Sequence, residues 1–106
     1  MKPQRIQRRR VKGWKMPPNT ISVCRPGRWG NPLRVGMYVG YTRADAVKDY
    51  VRWLKREPVV RSYEGVFGKP PTTREIRKEL RGKNLACFCP IGEPCHGNIL
   101  LRIANK

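Results

Sequence analysis

Along the chain the spacing of apolar positions changes its period several times, and each change marks an element. Thr20-Ile-Ser-Val-Cys24 alternates apolar with polar residues and is rich in β-branched types, which predicts a short strand after the breaker Met16-Pro-Pro-Asn19. Leu33 to Tyr41 places Val35, Met37 and Val39 on one parity and predicts a second strand, interrupted by Gly36 and Gly40. Thr42-Arg-Ala-Asp45 has the form of a capping box. The apolar stripe that follows, Ala44, Val47, Val51 and Leu54 widened by Tyr50 and Trp53, predicts a helix ending before Pro58. A second N-cap at Thr72 or Thr73 opens a short basic helix with Ile76 and Leu80 on one face, stopped at Gly82. Asn84 to Cys89 is apolar and brief, as a buried strand is, and Ile99, Leu100 and Ile103 mark one face of a closing helix over His96 to Ala104.

This order of elements predicts an α/β fold, a small single domain of about three strands and three helices spanning residues 16–106. Ahead of it, Met1 to Lys15 has seven bases, almost no core-forming residues and no clear period, so residues 1–15 are expected to be a flexible basic N-terminal arm. A chain of 106 residues is one domain's worth. No stretch reaches the roughly 18 apolar residues of a membrane span, and the N-terminus has no apolar core of a secretory signal. A soluble, cytoplasmic protein without a membrane partner is expected.

Charge narrows the class of partner. Twenty-four Lys and Arg against seven acids leave a formal net charge of +17, well beyond what solubility asks of a small domain, and this points to a polyanion. The first acid is Asp45, so the polyanion-facing half is the front half. There, Arg5, Arg8, Arg9, Arg10, Lys12 and Lys15 of the arm are candidate phosphate contacts. Arg25-Pro-Gly-Arg-Trp-Gly-Asn-Pro32 must be a shaped loop, since no helix or strand interior tolerates two Pro and two Gly in eight residues. Arg25 and Arg28 flanking Trp29 offer phosphate contacts and a ring for base stacking, although the same Trp29 could equally plug the core. Neither a phosphate-binding loop nor a dinucleotide fingerprint is present.

The densest chemistry lies near the end of the chain. Cys87, Cys89, Cys95 and His96 form the pattern C-x-C-x5-C-H and include the only histidine. On a strand, Cys87 and Cys89 point to one face, and a Pro-Ile-Gly-Glu-Pro turn returns Cys95 and His96 at a helix N-terminus, where a thiolate is stabilised. Three sulfurs and one imidazole suit tetrahedral zinc, so zinc is the expected cofactor. Adjacent Cys and His strain a single tetrahedron, and Cys24 is the available substitute ligand. Other readings stay open: buried apolar cysteines with a satisfied histidine, nucleophilic or redox use of Cys95 with His96, and a disulfide framework, which an intracellular chain disfavours.

The Arg25-Pro-Gly-Arg-Trp-Gly-Asn-Pro32 loop, Tyr50 to Leu54, Leu80-Arg-Gly-Lys-Asn-Leu-Ala-Cys-Phe-Cys-Pro90, Pro94-Cys-His-Gly97 and Leu100 together resemble the phage and bacterial family of small domains of unknown function called DUF4326. The resemblance covers residues 20 to 104 and leaves the arm outside. It implies a phage-type source and marks the Trp-Gly-Asn-Pro loop and the Cys/His cluster as signature elements, without supplying an activity. The reading preferred from sequence is a zinc-stabilised nucleic-acid-binding protein, a phage-type accessory or host-directed factor acting in the bacterial cytoplasm. A small metal- or thiol-dependent enzyme acting on nucleotides or nucleic acid is the alternative, and an effector binding an acidic host protein is a third.

Overall fold

The computed structural model describes residues 2–25, 27–33, 39–57 and 69–106. Among these, three strands form one sheet: β1 (Arg5–Gln7), β2 (Thr20–Ser22) and β3 (Asn84–Cys87), in the order β1-β3-β2. All pairings are parallel, with Arg5 opposite Leu85 on one side of the central strand and Ile21 opposite Leu85 on the other. Parallel neighbours need long crossover connections, and the one from β2 to β3 carries α1 (Arg43–Leu54) and α2 (Thr73–Leu80). The chain closes with α3 (His96–Ala104), which packs on α2 and on the sheet. The α/β class expected from sequence is found, and the described residues hold three strands and three helices, the number expected.

The strand expected over Leu33 to Tyr41 lies largely outside the described residues. The correction concerns the segment expected to be a flexible arm, which supplies β1. Arg-Ile-Gln has no strand pattern of its own. What orders it is the edge of β3, whose backbone groups would otherwise be unpaired. The ladder is extended at both ends: the Leu85 amide donates to the Gln4 carbonyl at 3.0 Å and the Arg8 amide to the Cys87 carbonyl at 2.8 Å. The boundary between arm and fold therefore does not fall at residue 15.

Helix starts follow the sequence closely. Thr42 and Thr72 each accept from the backbone amide three residues on, while Asp45 and Glu75 return the bond to the N-cap amide, forming two complete capping boxes. α2 ends at Leu80, and Gly82, at φ +79°, takes the left-handed turn beyond it that a side chain would strain. In α1 the buried face is Ala46, Asp49 and Tyr50, a rotation away from the expected stripe, with Ala44 exposed. Asp49 is buried because the Tyr41 hydroxyl donates to it at 2.7 Å.

The core gathers Val23, Trp29, Tyr50, Ile76, Leu80, Leu85 and Leu100 between the helices and one sheet face. Tyr50 is fully buried and donates its hydroxyl to the Trp29 carbonyl at 3.1 Å, which ties the Gly/Pro loop to α1. Gly30 allows that loop to close on itself, because a Cβ there would lie 2.8 Å from the Arg25 Cα. A smaller cluster of Leu33, Tyr41 and Ala46 covers the far end of the loop. Among the described residues no helix is long and apolar enough to cross a membrane.

Candidate functional site

Cys87 ends β3, Cys89 lies two residues on, and Cys95 is the N-cap of α3, so strand alternation and a helix start converge on one point. The three sulfurs all lie within 4.8 Å of one another. Cys87 Sγ and Cys89 Sγ are 3.8 Å apart. Two sulfurs on one tetrahedral zinc-sized ion, each at about 2.3 Å, would stand about 3.8 Å apart. The three cysteines can thus hold a metal ion with little rearrangement. All four cysteines are free thiols, so the disulfide framework is not formed.

Electrostatics within the trio are uneven. The Cys95 thiol donates to Cys87, and with help from the Cys89 amide it holds Cys87 down at about 4, against the opposing effect of burial. Cys95 is pushed well up, first because its proton is engaged by Cys87 and then by burial, although the Gly97 amide, 3.4 Å from its sulfur, acts the other way. Cys89 is raised by burial first and then by the neighbouring charge on Cys87. One thiolate stabilised by two thiols is a nucleus onto which a soft or borderline cation can bind with release of the remaining protons.

His96 is the first correction to the predicted ligand set. Its Nε2 lies 2.6 Å from the Val23 carbonyl, which can only accept, so Nε2 carries the proton. Burial lowers its pKa and keeps the ring neutral. It stacks edge-on against Tyr50 at 5.3 Å between centroids and lies outside the group of three sulfurs. Cys24, the substitute, is also outside that group: its sulfur sits 3.8 Å from the Ala86 carbonyl and 3.8 Å from an Arg8 guanidinium nitrogen. The strain foreseen for adjacent Cys and His is relieved by sending the two side chains to different partners.

The predicted nucleic-acid contacts divide in the same way. Trp29 is 8% exposed and belongs to the core, with the Arg28 guanidinium 4.7 Å above its ring, so it plugs the fold and offers no open face to a base. Arg28 is held by Glu75 and Glu79 on α2. Arg25 donates to the carbonyls of Asn31 at 3.0 Å and Leu33 at 3.3 Å, closing the loop on itself. Arg5 donates to the carbonyls of Cys87 and Cys89 and so shapes the backbone that carries the sulfurs. Arg8 bonds the Ser22 hydroxyl at 3.1 Å and, with Arg10, lies over the Phe88 ring at 4.8 and 4.1 Å. Arg9, Arg10, Lys12 and Lys15 are exposed.

Asn31 and Arg43, not foreseen, complete the site. A pocket of about 350 Å³ is lined by the three cysteines and His96 together with Arg25, Asn31 and Arg43. It lies beyond the carboxyl ends of β2 and β3, where open α/β sheets place their ligands. Asn31 is 4% exposed and structural, donating to the Ala46 carbonyl at 3.1 Å and accepting from the Leu33 amide at 2.9 Å. Nothing in the local sequence marks Arg43, the first residue of α1; only the tertiary path of the loop brings it to the cysteines.

Neither the curated proteins nor the solved structures offer a match to this chain. The family model described as Domain of unknown function (DUF4326) matches residues 6–106, beginning inside β1 where the resemblance had left the whole arm outside, and the chain belongs to that family.

Proposed function

We propose that the protein is a small nucleic-acid-binding domain closed by a zinc ion on Cys87, Cys89 and Cys95. The observation that carries the partner is an acid-free run of exposed bases, Arg9, Arg10, Lys12 and Lys15, anchored to the sheet by β1 in a chain of net charge +17. Such a run neutralises phosphates without sequence preference and releases counterions as it does so. Phe88, between Arg8 and Arg10, adds an aromatic ring to the cations, the combination that single-strand binders use. The spacing of the sulfurs and the absence of carboxylates from the trio favour zinc over harder cations.

Titrating labelled single-stranded and duplex oligonucleotides over a series of salt concentrations tests the partner. The expected result is binding at low salt whose logarithm falls linearly with log salt. Absence of binding at low salt overturns it. A chelator tests the metal: it should lower the melting temperature of the zinc-loaded protein, because binding and folding are linked. An unchanged melt with no metal by elemental analysis removes zinc from the reading.

A second reading, a small metal- or thiol-dependent enzyme acting on nucleotides or nucleic acid, draws on the pocket that the cysteines share with Arg25 and Arg43. A closed structural zinc would leave all three sulfurs resistant to alkylation, whereas a sulfur alkylated in the zinc-loaded protein favours this second reading.

A further inference from the structure

Three sulfurs leave a tetrahedral ion one position short, and among the described residues no further His, Cys, Asp or Glu joins the group. His96 donates to the Val23 carbonyl, the Cys24 sulfur lies by the Ala86 carbonyl, and Asp49 accepts from Tyr41. Glu93, in the turn between Cys89 and Cys95, is exposed. What the trio does share is the pocket of about 350 Å³, large enough for a small-molecule ligand. Among the described residues no carboxylate lines it, and two arginines, Arg25 and Arg43, do. Arg25 is fixed there by the carbonyls it grips, and Arg43 sits at the start of α1. Three thiolates on a divalent ion carry one net negative charge, so an anion approaching that ion needs cations beside it. Arg25 and Arg43 meet that need, and guanidinium geometry matches an oxyanion.

We infer that the cysteine trio is an open metal centre whose fourth ligand comes from solution, a phosphate-type oxyanion held between the ion and the guanidinium groups of Arg25 and Arg43. This rests on the metal reading above and turns the centre from a purely structural clasp into a binding site. The phosphate has two sources, free phosphate or the terminal phosphate of a nucleic-acid strand, and the chemistry of the pocket is the same for both.

Cobalt(II) in place of zinc makes the coordination visible. The full chain loaded with one cobalt(II) should show thiolate charge-transfer and tetrahedral d–d bands, and inorganic phosphate should shift the d–d bands in a saturable titration. Arg43→Gln should load cobalt equally and melt at the same temperature, while needing about tenfold or more phosphate for the same shift. A 5′-phosphorylated oligonucleotide that shifts the bands below the concentration at which its unphosphorylated counterpart acts identifies a strand terminus as the source. A shift with inorganic phosphate alone identifies the free ion. If no thiolate band forms, the metal reading itself fails. If the bands form and phosphate leaves them unchanged, the metal reading stands and the open centre is overturned. An Arg43→Gln protein with an unaltered phosphate titration overturns the role of the guanidinium.

Discussion

Two arginine-rich segments of this molecule look alike in sequence and behave differently in the fold. In the loop from Arg25 to Leu33, the cations are exposed yet engaged within the fold: Arg25 closes the loop on its own carbonyls, and Arg28 covers Trp29 and bridges to two glutamates of α2. In the segment from Arg5 to Lys15, Arg5 grips the carbonyls of Cys87 and Cys89, but the residues after it are increasingly turned out to solvent. The difference comes from what each backbone leaves unsatisfied. A loop rich in Gly and Pro makes few hydrogen bonds of its own and exposes carbonyls for a guanidinium to collect. A strand satisfies its backbone through its neighbours, so the side chains beyond its end stay in solvent. Charge density alone does not separate these cases; the backbone around it does.

The largest expected effect is on Trp29. Trp29→Ala removes a core ring and should destabilise the fold by about 3–5 kcal/mol in a denaturant melt. A variant that kept its stability and lost only oligonucleotide affinity would erase the contrast between the two segments. Next comes the pair Arg25→Gln and Arg5→Gln, each of which leaves carbonyls without their donor and should cost about 1–3 kcal/mol. Arg5→Gln should also change the rate at which an alkylating reagent reaches the cysteines, since Arg5 holds the backbone that carries them. Arg28→Gln removes ion pairs that are nearly half exposed and should cost about 0.2–1 kcal/mol, measured as a small drop in melting temperature that high salt abolishes. The smallest effect on stability belongs to a triple variant, Arg9→Gln with Lys12→Gln and Lys15→Gln. It should melt within about 0.5 kcal/mol of the parent. In duplex binding it should flatten the slope of log affinity against log salt by about 2–3. A steep slope retained in this variant would move the polyanion surface elsewhere on the molecule.

Legibility in the sequence follows the range of the forces involved. The capping box at Thr42, an N-cap at Thr72 or Thr73 and the start of α3 were readable because a helix N-terminus is set by side chains close in sequence. The meeting of Cys87 with Cys89 was readable for the same reason, since strand alternation is local. β1 was not readable: Ile6 is the only apolar residue in a strand whose order is imposed by a neighbour 80 residues away in sequence. The inward turn of Trp29 depends on Tyr50 reaching its carbonyl, and the neutral His96 depends on Val23, both contacts between distant segments. Asn31 carried a partial signal, as an amide in a rigid loop. Arg43 carried none, being one base among many until the loop and α1 fold together.

The central position of β3 governs the order in which this protein can be assembled. Its two neighbours, β1 and β2, are made first, yet among the described residues the only strand either pairs with is the one that follows at residues 84–87. Chains dominated by such distant pairings close slowly, because a long loop must be ordered before any contact rewards it. During synthesis the basic front of the chain would therefore emerge without its sheet, its positive charges resisting collapse. Residues 84–104, which follow, bring the middle strand, the three sulfurs and α3 together. A nascent chain stalled before residue 84 would lack the middle of its sheet and the three clustered sulfurs, and the emergence of residues 84–104 would supply both.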